Sequence, residues 1–201
     1  RGYLAIASQY SGGGQSTGED DWGGEQTMQD VVRLYDLLKD DPYADVSRIG
    51  VLGGSRGAVM TYLLMKRVPW VKAAVVMSGV SNLLDESFRP KMQEVYTELF
   101  GPSREERVKR SVLEWVDQLP KNVPLLLMHG TADWRVNPLH TLKLVEACYH
   151  HKIPCSLIWY EGGDHTLTDH HYRSTLTATI SWFNRYVRDG EPLPDLEPRG
   201  E

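Results

Sequence analysis

The sequence predicts an α/β protein, a mostly parallel sheet with helices on both faces. Short runs without polar alternation, RIGVLGG, VKAAVVMSGV and VPLLLMHG among them, alternate with segments whose apolar residues recur at helical spacing. A strand apolar on both sides needs cover on both sides, and crossover helices supply it. The 201 residues, 41% hydrophobic and 24% charged, are enough for one core.

The elements follow in order. Residues 2–8, GYLAIAS, read as a buried strand, and SGGGQSTGEDDWGG after them as a glycine-rich loop. Thr27 followed by Asp30 marks a helix start, with Met28, Val31, Val32, Tyr35 and Leu38 on one face. RIGVLGG is a strand, RGAVMTYLLMKR a helix and VKAAVVMSGV a strand. Then come the strand VPLLLMHG, a helix over PLHTLKLVEACYHH, the strand CSLIWYEGG and a last helix over SWFNRYVR.

Residues 81–119 interrupt the alternation with two expected helices. Ser103 and Glu106 form a capping box, and Val108, Val112, Trp115, Val116 and Leu119 make one stripe. The insertion either folds over the sheet's carboxyl edge as a cap or packs on its side. Residues 1–188 read as one domain, and the proline- and acid-rich 189–201 as a disordered tail.

Composition excludes several classes of function. A formal charge of −5 with scattered lysines and arginines leaves no surface for nucleic acid. No run approaches the roughly 20 apolar residues of a membrane span, and the opening stretch lacks the regions of a signal peptide. The expectation is a soluble chain in the cytoplasm, acting on a small-molecule or peptide substrate, without a membrane partner. Cys148 and Cys155 are expected as buried or half-buried free thiols. Because the chain begins at Arg1 and reaches an apolar run at once, something upstream is expected to have been removed.

GGSRG places Gly53 and Gly57 two positions either side of Ser55, with a strand before and a helix after. Such a turn forces its apex residue into a strained conformation and presses its neighbours together, so both must be small. Ser55 is the candidate nucleophile. A serine hydroxyl needs a base, and the base an acid to set its tautomer. Asp133 follows the strand VPLLLMHG and His165 follows CSLIWYEGG, both at the edge where parallel sheets hold their chemistry. Ser, Asp, His is also the chain order of hydrolases built this way.

The competitors are weaker. Asp164 adjoins His165, where side chains diverge; Asp85 and Asp169 read as solvated. His150, His151, His170 and His171 lie in polar helix ends or loops without further ligands at metal spacing, so neither metal nor cofactor is expected. His129, at a strand end beside Gly130, is either structural or the one rival base.

SQYSGGGQSTGEDDWGG, GGSRGA, HGTADWRVNP and YEGGDHT together resemble the α/β-hydrolase fold, and within it the catalytic domain of the prolyl oligopeptidase family and related esterases, over about residues 3–187. The resemblance implies a serine hydrolase acting through an acyl-enzyme, with Ser55 as nucleophile, His165 as base and then acid, and Asp133 as its orienter. The backbone N–H of Arg56 is the expected oxyanion donor, and Tyr10 and Trp134 are the aromatics that either line the pocket or pack in the core. A non-catalytic binder on the same scaffold is the alternative. Two features depart from the family. Arg56 stands where peptidases of this group often carry an aromatic residue; an arginine at a helix amino terminus opposes the helix dipole, so it reads as a plain surface arginine or as one in contact with an acidic substrate or a nearby carboxylate. Relatives also have about three further strands before GYLAIAS, and one of their loops supplies a second oxyanion donor. Without that donor these 201 residues are expected to be weakly active or inactive alone.

Overall fold

A computed structural model describes residues 2–85 and 90–198. Residues 86–89 of the insertion, Arg1 and the last three residues of the tail lie outside them.

The elements are α1 (Glu25–Lys39), β1 (Ile49–Gly54), α2 (Arg56–Arg67), β2 (Val71–Met77), α3 (Pro90–Phe100), α4 (Arg104–Lys109), β3 (Leu125–Gly130), α5 (Leu139–His151), β4 (Cys155–Tyr160) and α6 (Tyr172–Phe183). The strands form one sheet in the order β1-β2-β3-β4, every pair parallel. Gly54 pairs with Met77, Met77 with Met128, and Gly130 with Tyr160, so the carboxyl ends of the strands line up along one rim.

Alternation along the strands divides the core in two. Ala74, Val76, Leu125 and Leu127 face α2 and α5, where Tyr62, Leu64, Met65, Leu144 and Cys148 are buried. Val75, Leu126 and Met128 face the other way, onto Leu167, Trp182 and Phe183. The predicted covering of both faces is present, and it explains why residues 73–77 of β2 and 125–128 of β3 are apolar throughout.

Five expectations are corrected. Residues 2–8 form no strand; Tyr3, Leu4 and Ile6 are exposed, and the segment is held by the Tyr3 hydroxyl on Asn184 Oδ1 at 3.0 Å and by ring contact with Phe183. An extended segment becomes a strand only through a ladder of main-chain bonds, and none forms here among the described residues. α1 starts at Glu25, ahead of Thr27, because the Asp21 carboxylate accepts the amides of Gly24, Gln26 and Thr27 and takes over the capping role. Ser103 makes no capping bond, since Glu106 turns to Lys109 and Arg110. The stripe from Val108 to Leu119 breaks into α4 and two short 3-10 turns, although Val112, Trp115, Val116 and Leu119 all remain buried. The last helix begins at Tyr172, well before the expected SWFNRYVR, which ends in a π-turn over Asn184–Arg188.

Candidate active site

Ser55 sits between β1 and α2 with φ 53° and ψ −118°, a region that a residue with a side chain seldom occupies. Its amide is tied to the Met77 carbonyl at 2.9 Å. A Cβ on Gly53 would overlap the Gly57 carbonyl, so the reversal tolerates no larger residue there. A serine heading a helix ordinarily turns its hydroxyl onto the helix's first amides. Ser55 makes no such cap, because the positive φ swings the side chain away. The hydroxyl is left half-buried at the rim of the sheet, and the first N–H of α2, on Arg56, has no intrahelical acceptor.

Asp133 lies in the turn after β3, its side chain fully buried. Oδ1 accepts the amides of Arg135 and Val136 at 2.8 and 2.9 Å, and Oδ2 accepts His165 Nδ1 at 2.8 Å and His129 Nε2 at 3.1 Å. Burial works against the charge, but the donors from His129, His165, Val136 and Arg135 prevail and hold the carboxyl well below the usual carboxylate range. Asp133 is therefore ionised, and it engages Nδ1 of His165. Ser55 Oγ makes no hydrogen bond to His165, so the structure joins Asp133 to His165 but not His165 to Ser55.

The acid turn and the histidine loop are fastened together. The Thr131 amide donates to the Tyr160 carbonyl and the Ala132 amide to the Gly163 carbonyl, both at 2.9 Å, and the Gly162 amide donates to Thr131 Oγ1 at 2.8 Å. Asp164 points forward and accepts the amides of Thr166 and Leu167, shaping the loop without touching the imidazole.

A cavity of about 260 Å³ opens beside Ser55 and Arg56, with Trp22, Val80, Tyr96, Arg135 and His140 in its wall. Met92, Gln93 and Tyr96 of α3 line it as well, so the insertion reaches over the functional rim as a cap does. His140 is buried there, and that burial lowers its titration from 6.5 to about 4.

The expected pocket aromatics lie elsewhere. Tyr10 packs under the Arg56 guanidinium at 5.2 Å, against the core, and Trp134 is 73% exposed; neither lines the cavity. Arg56 has its carboxylate: both its terminal nitrogens bond Asp20, and Tyr10 and Trp22 flank it. Asp20 was missed in the sequence; the acidic GEDD run beside an arginine that opposes a helix dipole was the available signal. Asp85, read as solvated, pairs with Lys143 at 2.9 Å and lines the cavity. His150, His151, His170 and Asp169 are exposed, and His171 donates to the Glu161 carbonyl. Among the described residues no group of three or more His, Cys, Asp or Glu could hold a metal ion, and no helix is long and apolar enough to cross a membrane.

A parallel sheet with its strained serine turn, buried aspartate and histidine loop on one rim defines the class: an α/β-hydrolase fold. The structure superposes on a puromycin-hydrolysing peptidase of Mycobacterium tuberculosis with TM-score 0.75 and 25% identity, covering 90% of this chain and 27% of that one. The prolyl oligopeptidase family model matches residues 1–190, and the chain belongs to that family. It is 25% identical over 202 residues to dipeptidyl-peptidase 5 of Porphyromonas gingivalis, covering 94% of this chain and 29% of that protein. It is also 27% identical over 164 residues to inactive dipeptidyl peptidase 10 of Mus musculus, covering 79% of this chain and 20% of that protein. The chain thus spans less than a third of these relatives. Peptidase and esterase relatives support hydrolase function at the level of the family.

Proposed function

We propose that the chain is the catalytic part of a serine hydrolase that cleaves an ester or peptide bond through an acyl-enzyme. Ser55 Oγ attacks the carbonyl carbon while His165 Nε2 accepts its proton; the same proton then passes to the leaving group. Water, deprotonated by His165, attacks the acyl-enzyme and releases Ser55. Asp133 keeps the imidazole in the Nδ1–H tautomer and favours its cationic form. The backbone N–H of Arg56 stabilises the oxyanion, a contribution on the order of 10²- to 10³-fold in rate. The observation that carries this reading is the 2.8 Å bond from His165 Nδ1 to a carboxylate saturated by four donors, across the rim from a strained serine whose hydroxyl caps nothing.

A second reading is a binding protein on the hydrolase scaffold, and the similarity to inactive dipeptidyl peptidase 10 favours it. A fluorophosphonate probe separates the two: a hydrolase labels at Ser55 and Ser55→Ala does not, whereas a binder takes no label in either form. Comparing short acyl nitrophenyl esters with aminoacyl anilides then divides esterase from peptidase.

A further inference from the structure

We propose that His129 is a positioning residue, a second imidazole that holds the Asp133 carboxylate for His165. The inference rests on the reading of Ser55, Asp133 and His165 given above. His129 is wholly buried at the end of β3, and both its ring nitrogens are engaged. Nε2 faces two acceptors, Asp133 Oδ2 and the Val136 carbonyl, each at 3.1 Å, so it carries the proton. Nδ1 is then the acceptor for the Thr141 hydroxyl at 2.6 Å. Thr141 on α5 thus donates to His129 and His129 to Asp133, which also accepts from His165.

With both nitrogens spent, His129 is removed as a rival base. Its proton has a different effect. Oδ2 is shared between two imidazole donors, so its charge is divided, and the pull it exerts on a protonated His165 is tempered. Deleting the His129 donor concentrates that charge on the bond to His165 and leaves the carboxylate and the Val136 carbonyl each short of a partner. The other charged or titratable groups near the cluster are His140 and Lys143 of α5, Asp85 after β2, Arg135 on the acid turn and Asp164 beside His165. Substitution at 129 leaves all of them in place.

The test compares His129→Leu, which cannot donate, with His129→Gln, whose amide nitrogen stands near the position of Nε2. In His129→Leu, kcat on a nitrophenyl ester falls about tenfold with KM within about twofold. The acid limb of kcat/KM moves to higher pH, because the concentrated charge favours protonated His165. His129→Gln recovers most of both. If His129→Leu does not fold, Thr141→Val is used. It frees Nδ1 to take the proton from Nε2, and its limb moves the same way by less. A folded His129→Leu, or failing that Thr141→Val, with wild-type kcat and acid limb overturns the inference. So does a His129→Gln protein, folded like the wild type, that behaves as His129→Leu. A wild-type protein that a fluorophosphonate does not label overturns the underlying reading instead, and the inference with it.

Discussion

The main chain at Gly130 lies directly against that of Gly163: a Cβ on Gly130 would overlap the Gly163 carbonyl, and one on Gly163 would reach Gly130 Cα at 3.0 Å. This backbone contact seats the acid turn on the histidine loop and sets the distance between Asp133 and His165. Gly130→Ala forces the two apart. It should destabilise the fold by about 1–3 kcal/mol in urea unfolding and lower activity further than that loss accounts for. A variant within about 0.5 kcal/mol of wild type and fully active would show that the contact sets nothing.

Asp133→Asn keeps the shape of the side chain but replaces Oδ2 with either an uncharged oxygen or an N–H. The imidazole then loses its tautomer lock and its counter-charge. Turnover should fall on the order of 10³- to 10⁴-fold with little change in KM, read from steady-state kinetics on an ester. A loss of only a few fold would remove Asp133 from the mechanism.

Arg56 and Asp20 tie the glycine-rich loop to the serine turn. Their side chains are 25% and 40% exposed, so solvent screens the pair. The two-nitrogen contact and the flanking Tyr10 and Trp22 still favour one geometry. A double-mutant cycle with Arg56→Gln and Asp20→Asn should give a coupling of about 1 kcal/mol in unfolding free energy. A coupling indistinguishable from zero would make the pair ornamental.

His140 links stability to pH. Its folded-state titration, about 4, lies below the usual 6.5, mainly through burial. Between those values the unfolded chain binds a proton that the folded chain refuses. Stability is therefore intact above pH 6.5 and is lost as pH falls towards 4, by up to about 3 kcal/mol. His140→Gln should flatten the dependence of the urea midpoint on pH over that window. An unchanged slope would show that His140 protonates freely in the fold.

The thiols differ although they touch. Cys148 is buried in the core, and its hydrogen bond with Cys155, together with burial, pushes its titration up; the same bond lowers that of half-buried Cys155. Iodoacetamide should alkylate Cys155 in the native protein and Cys148 only after unfolding. Equal native rates, read by mass spectrometry, would contradict the burial.

Local patterns were legible where local physics decides. The helix Arg56–Arg67 and the strands at Ile49, Val71, Leu125 and Cys155 follow from apolar period and length alone, and the serine turn follows from two glycines at fixed spacing. Asp133 and His165 could be picked out because residues ending parallel strands share one rim, and the structure joins those two. Residues 2–8 were misread because an apolar run states a preference for burial, not the presence of a pairing partner.

The sequence by itself determined the alternation of strands and helices, the strained serine and the residue types available at the rim, since each depends on neighbours a few positions away. Only the tertiary structure decided that Asp20 would answer Arg56 and that His129 would share Asp133 with His165. It likewise decided that Trp134 would face solvent while Tyr96 of the insertion lined the cavity. Those outcomes depend on which side chains meet across loops and layers, and hydrogen-bond geometry is settled over a few ångströms in space, a distance that position along the chain does not encode.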